Sequence, residues 1–128
     1  MTNLLVVCND AELRKVIRAA VDELPLKITK EVFGAKGVTE AMMESAAPLV
    51  IVDLFIPGTN GLEIMKILKK VNESATFLLI TRLSTRSAID KAFRFGAQDV
   101  LVYPFTTDSL RQTLAHRLEL MVKPGTMP

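Results

Sequence analysis

The sequence predicts an α/β fold, a doubly wound parallel sheet of five strands with five helices. Three observations predict it. Short apolar runs alternate along the chain with segments whose apolar residues recur at a 3.6-residue period. The runs at Leu4–Val7 and Leu49–Val52 are apolar throughout, as strands covered on both faces must be. The turn residues Pro25, Pro48, Pro57-Gly58, Gly96 and Pro104 fall between the segments rather than within them. Right-handed crossovers then leave few topologies, and a pocket is expected at the carboxyl ends of the first and third strands.

Leu4-Leu5-Val6-Val7 opens the chain as a buried strand. Asp10 suits the cap of a first helix whose stripe is Leu13, Val16, Ile17, Ala20, Val21 and Leu24, closed by Pro25. Leu26 to Val32 alternates in polarity and reads as an edge strand. A short second helix faces inward with Val38, Ala41, Met42, Ser45 and Ala46 and stops at Pro48. Leu49 to Val52 is the central strand, ending in Asp53.

The turn-rich segment Pro57-Gly58-Thr59-Asn60-Gly61 leads to a third helix carrying Ile64, Ile67, Leu68 and Val71. Phe77 to Thr81 is the fourth strand. Ser84 or Thr85 caps a fourth helix that buries Ala88, Ile89, Ala92 and Phe93 and ends at Gly96. Val100-Leu101-Val102 is the fifth strand. Thr106 or Thr107 caps a last helix with Leu110, Leu114, Leu118 and Met121 inward. The reading gives one domain over residues 1–122, with 123–128 as a tail or the start of a linker.

Composition narrows the function classes. The 128 residues suffice for one domain with a real core, and 49% of them are apolar. Sixteen basic against fourteen acidic residues leave a net charge of only +2, too weak a field to argue for direct nucleic-acid contact. No apolar stretch reaches the length of a membrane span. The start of the chain lacks a basic region followed by an apolar core and a cleavage site, so a cytoplasmic location is expected. The single cysteine makes no internal disulfide and no zinc site.

Four segments carry a family resemblance: Val6-Val7-Cys8-Asn9-Asp10-Ala11-Glu12-Leu13-Arg14; Val52-Asp53-Leu54-Phe55-Ile56-Pro57-Gly58-Thr59-Asn60-Gly61-Leu62-Glu63; Ile80-Thr81; and Gly96-Ala97-Gln98-Asp99-Val100-Leu101-Val102-Tyr103-Pro104-Phe105. In this order and spacing the chain resembles the receiver domain of two-component response regulators, of the single-domain chemotaxis type, which implies a flavodoxin-like fold with strand order 2-1-3-4-5. The resemblance runs from Asn3 to about Val122.

It implies a phosphoacceptor aspartate at Asp53, fed by a histidine kinase, with Thr81 as the switch hydroxyl and Pro104 as the proline after the fifth strand. The resemblance also implies a magnesium site, for which Asp53, the Phe55 carbonyl and the Asn9 amide remain. Here the sequence departs from the family. Cys8 and Asn9 stand in place of the paired acids, Tyr103 in place of the lysine, and Val100 in place of the switch aromatic.

These departures bear on chemistry. Phosphoryl transfer depends mostly on positioning and charge neutralisation. Magnesium prefers hard oxygen ligands, which a thiol does not supply. Each lost charge-assisted contact costs on the order of 1.5–3 kcal/mol. Two negative charges and one positive charge are gone, so the reading is an atypical receiver with a degenerate site, acting through protein contacts, with magnesium-dependent phosphorylation of Asp53 weak or absent. The alternative is a working phosphoacceptor.

Arg82 either pairs with Asp53 and stands in for the missing cations or points to water. Tyr103 either bonds Asp53 through its hydroxyl, swings outward as a contact residue, or simply packs. Cys8, between an apolar strand and a carboxylate, reads as buried and structural rather than as a redox sensor. His116 reads as solvated. Asp10 is one residue too late for the acid pair and reads as a cap.

The family's contact face is the fourth helix, fifth strand and fifth helix. Here it offers Arg86, Asp90, Lys91, Arg94, Tyr103, Arg111 and Gln112 to a histidine kinase, an output domain or a second copy of this chain. An enzyme or nucleotide-binding reading finds no glycine-rich phosphate loop and no partner acid or base beside Asp53, so no catalytic residue is assigned.

Overall fold

Alternate residues of the central strands point to opposite faces of the sheet, and each face is apolar. In the computed structural model, which describes residues 1–122, the strands are β1 (Thr2–Val7), β2 (Leu26–Val32), β3 (Leu49–Asp53), β4 (Thr76–Thr81) and β5 (Asp99–Val102). The helices are α1 (Ala11–Val21), α2 (Val38–Ser45), α3 (Gly61–Val71), α4 (Arg86–Arg94) and α5 (Thr107–Val122). The sheet order is β2-β1-β3-β4-β5, with every pairing parallel. The expected tail at 123–128 lies outside the described residues.

Leu4, Val6, Cys8, Leu49, Ile51, Leu78 and Ile80 form one face of the core against Leu13, Ile17 and Ala20 of α1 and Leu110, Leu114 and Leu118 of α5. Leu5, Val7, Val50, Val52, Phe77 and Leu79 form the other against α2, α3 and Ala92 of α4. This double burial is why β1 and β3 read as unbroken apolar runs. Among the described residues, no helix is long and apolar enough to cross a membrane.

The caps resolve the open alternatives. Thr85 accepts from the Ala88 amide at the start of α4, and Thr106 accepts from the Ser109 amide at the start of α5. Asn60 caps α3 by accepting from the Leu62 and Glu63 amides at 2.9 and 3.1 Å.

Three inward assignments need correction. Ile67 is exposed and Met65 is buried in its place, because the α3 stripe runs Gly61, Ile64, Met65, Leu68. Phe93 is 48% exposed; α4 buries Ala92 fully and Ala88 and Ile89 in part, so the stripe passes one residue to its side. Ala46 is exposed and adopts φ +48°, the left-handed conformation that ends α2.

Candidate functional site at the carboxyl edge of the sheet

Parallel pairing brings the strand tips to one edge. Val7 pairs with Val52, Asp53 with Ile80, and Thr81 with Val102. The ladder continues past the strand ends through Leu54 N–H to the Ile80 carbonyl at 2.8 Å and Tyr103 N–H to the Thr81 carbonyl at 2.7 Å. Cys8, Asp53, Thr81 and Tyr103 therefore arrive at the same level on rigid backbone.

The loop after β3 is pressed tightly against the start of α3. A Cβ on Gly61 would lie 2.5 Å from the Asp53 carbonyl oxygen and 2.9 Å from the Leu54 Cα. Only glycine lets the helix begin so close to the strand.

Asp53 is the most buried acid of the site, 1% exposed. The Phe55 amide donates to its Oδ1 at 3.2 Å. The Arg82 Nη1 donates to Oδ1 at 3.1 Å and to Oδ2 at 3.4 Å. The second Arg82 nitrogen, Nη2, donates to Asp10 Oδ2 at 2.7 Å. One guanidinium thus joins two carboxylates that come from different strand tips.

Two aromatic rings also lie against it. The guanidinium carbon lies 5.3 Å from the centroid of the Phe55 ring and 5.1 Å from that of Tyr103. Each is within cation–π range. Arg82 therefore pairs with Asp53 and does not simply point to water.

The electrostatics follow from burial. Burial pushes the Asp53 carboxyl up from its usual range, and the Phe55 amide and Arg82 only partly offset it. Asp10 moves the other way. Its cap bond from Leu13 at 3.0 Å comes first among the causes, and Arg82 adds to it. Burial and then the charge of Asp53 push the Cys8 thiol up to about 12. Cys8 is wholly buried, its Sγ 3.8 Å from Asp53 Oδ2 and 3.6 Å from the Asp10 carbonyl, which agrees with a structural rather than a redox thiol.

The other expected residues sit nearby in different roles. The Thr81 hydroxyl oxygen accepts from the Leu83 amide at 3.0 Å, and its side chain follows Phe77 and Leu79 toward the opposite face of the sheet from Asp53. Tyr103 meets the site through its ring, which also packs edge-on against Phe105 at 5.2 Å. The Tyr103–Pro104 peptide is cis. Asn9 is exposed, and its carbonyl accepts from Arg14. His116 is exposed.

Asp10 is the residue that sequence reasoning underrated. It caps α1 as expected, yet one carboxylate has two oxygens. Oδ1 makes the cap and Oδ2 turns to Arg82. The signal was an acid adjacent to the expected pair.

With Arg82 in place the site does not suit magnesium. Cys8 offers sulfur, and the Arg82 guanidinium fills the space between the two carboxylates that a cation would need. Among the described residues, no three acidic, histidine or cysteine side chains gather into a metal-binding group. Beside the ion pair, a cleft of about 590 Å³ opens between the β3–α3 loop and α4, lined by Phe55, Ile56, Pro57, Leu62, Leu83 and Lys91 among others.

The model of the response regulator receiver domain matches residues 4–115. The chain belongs to this family. The receiver is 30% identical over 118 residues to the transcriptional regulatory protein MalR of Bacillus subtilis, covering 90% of this chain and 49% of MalR. It is 22% identical over 111 residues to the chemotaxis protein CheY of Bacillus subtilis, covering 87% of this chain and 92% of CheY.

This receiver thus spans about half the length of MalR and nearly all of CheY. Among solved structures it superposes on the receiver domain of AraT from Geobacillus stearothermophilus with a TM-score of 0.85 at 22% identity, covering 97% and 98% of the two chains. It superposes on the BeF3-activated DrrB receiver domain with a TM-score of 0.80 at 25% identity, covering 93% and 98%. The receiver fold and its strand order agree with the sequence reading.

Proposed function

We propose that this chain is an atypical receiver of a two-component or phosphorelay pathway. It signals through protein contacts, and magnesium-dependent phosphorylation of Asp53 is weak or absent. One observation carries the reading. Asp53 is buried and already paired with Arg82, which bridges it to Asp10. The paired acids and lysine that would hold a cation and a phosphate are Cys8, Asn9 and Tyr103. Phosphoryl transfer works by positioning and neutralising charge, and here a fixed guanidinium already occupies the carboxylate oxygens.

The partner surface is the face of α4, β5 and α5. Arg86, Asp90, Lys91 and Arg94 are exposed on α4, and Phe93, exposed beside them, adds an aromatic anchor of the kind that interfaces favour. Arg111 leaves this surface. It donates to the Ala19 and Ala20 carbonyls and pairs with Glu23, so it ties α5 to α1. The occupant is a histidine kinase, an output domain or another signalling protein, or a second copy of the chain, in a cytoplasmic setting.

The test is incubation with acetyl phosphate and magnesium, read by intact mass. The expected result is no stoichiometric phosphate increment. Rapid full labelling, absent in Asp53→Asn, would replace this reading with that of a working phosphoacceptor served by a histidine kinase. That second reading draws on Asp53 and Thr81 standing at the ends of neighbouring strands, with a cation already on the Asp53 oxygens.

A further inference from the structure

Arg82 is placed as an ion would be, rather than as a surface side chain would be. Its guanidinium contacts both oxygens of Asp53 and one of Asp10. The rings of Phe55 and Tyr103 lie against it. Among the described residues, Arg82 is the one cation that pairs with either carboxylate. The nearby Arg14 is turned away, its Nη1 bonded to the Cys8 and Asn9 carbonyls and its guanidinium stacked on Phe33.

A guanidinium is planar and permanently charged, and its donors are fixed in a fork. A divalent ion needs oxygens directly around it at about 2.0–2.6 Å. Both cannot lie between the same carboxylates.

We propose that Arg82 is the resident cation of this site. It excludes divalent metal from Asp53 by direct competition, and it clamps the β4–α4 loop to the tips of β1 and β3 without any ligand. The inference rests on the receiver reading above and concerns the regulation of the same pocket: the site is closed from within by its own side chain. Removing the guanidinium leaves Asp53 and Asp10 facing each other, with the Phe55 backbone folded over Asp53. Two carboxylates left without a counter-charge attract a divalent cation.

The experiment measures Mn2+ binding by electron paramagnetic resonance and the Mg2+-induced change in melting temperature. The proteins are wild type, Arg82→Ala, Arg82→Gln and Arg82→Ala/Asp53→Asn, with circular dichroism as the check on folding. Wild type is expected to bind little Mn2+ and to show no Mg2+ shift. The Arg82 variants gain Mn2+ affinity by about tenfold or more and melt higher with Mg2+, because a ligand of the folded state alone must stabilise it. The double variant loses the gain.

Equal Mn2+ affinity in wild type and Arg82→Ala overturns the proposal, as does a folded Arg82 variant that gains none, or a gain that survives Asp53→Asn. If both single variants unfold without metal, Mg2+ must restore the fold; failure to do so also overturns it. Labelling of wild-type Asp53 by acetyl phosphate would sink the atypical reading itself. An unlabelled wild type, together with metal-blind Arg82 variants, would sink this inference alone.

Discussion

Arg82 grips Asp53 from the neighbouring strand tip, with Nη1 3.1 Å from Oδ1 and 3.4 Å from Oδ2, and so turns a carboxylate 1% exposed into half of an ion pair. Deleting one partner of such a pair strands the other in a desolvated place. Arg82→Ala is expected to cost about 2–3 kcal/mol near neutral pH, since Arg82 is itself partly exposed and water will enter. Asp53→Asn should cost less. The double variant should show a coupling of about 1–2 kcal/mol in urea unfolding.

Acid should relieve the Arg82→Ala defect. Asp53 has a carboxyl pKa raised above 3.8 in the folded protein, and losing Arg82 removes a lowering influence on it. As pH falls through that raised value, the folded state takes up a proton that the unfolded state does not yet bind, so this group favours folding on the acid side. Asp10, lowered, acts oppositely: its contribution is present above its unfolded value and is lost as pH falls through the folded one. The gap between wild type and Arg82→Ala should therefore narrow as pH falls from neutral through the raised Asp53 value. A constant gap would show that the variant fails through packing.

Tyr103 acts on the site through its ring, 5.1 Å from the Arg82 guanidinium. Tyr103→Phe should leave stability within about 0.5 kcal/mol of wild type, and Tyr103→Ala should cost at least about 1 kcal/mol through lost cation–π contact and area. Tyr103→Lys, which supplies the lysine that the family carries there, should destabilise rather than repair, because it sets a like charge beside Arg82. Thermal melts of the three variants decide this.

The strands and helices were legible because they rest on periodicity, which a sequence displays openly; the sheet order followed from the family resemblance. Leu4, Val6 and Cys8 alternate with Leu5 and Val7, and both sets are apolar. The missing acids and lysine were equally plain as residue identities. What escaped was direction. Nothing in a linear sequence says that Arg82 turns back over Phe55 and Tyr103 instead of outward, because its partners, two carboxylates and two aromatic rings, come from other strand ends and loops. Asp10 hid for the opposite reason: its cap role was legible and sufficient, and its second oxygen could be assigned only once Arg82 was placed. Phe93 and Ile67 show the limit of stripe reading on short helices, where shifting the stripe by a single residue changes which side chain is buried.

Cys8 should weaken the fold in alkali. The unfolded thiol ionises near its ordinary value of 9.0, whereas the folded one keeps its proton until about 12. Between those values the unfolded state loses a proton that the folded state retains. Stability should then fall as pH rises, by at most about 1.4 kcal/mol per pH unit. Cys8→Ala should flatten that slope. In the native protein the thiol should also react with a disulfide reagent only at the rate of local opening, since the thiolate is the reactive form.

Gly61 offers a test of how tightly Asp53 is seated. Alanine is the better helix former by about 1 kcal/mol, so propensity alone predicts that Gly61→Ala stabilises α3. The added Cβ would meet the Asp53 carbonyl oxygen at 2.5 Å and the Leu54 Cα at 2.9 Å, both backbone atoms of a strand end that cannot swing aside. Overpacking of this kind costs about 1–3 kcal/mol, which outweighs the propensity gain. Gly58→Ala is the control. Its φ of +78° makes alanine unfavourable by about 1–2 kcal/mol, but its Cβ would meet nothing within 4 Å. Both variants should therefore melt lower, while only Gly61→Ala should displace Asp53 from Arg82 and so reduce the coupling energy between them. Undiminished coupling in Gly61→Ala would mean that the start of α3 does not hold the carboxylate in place.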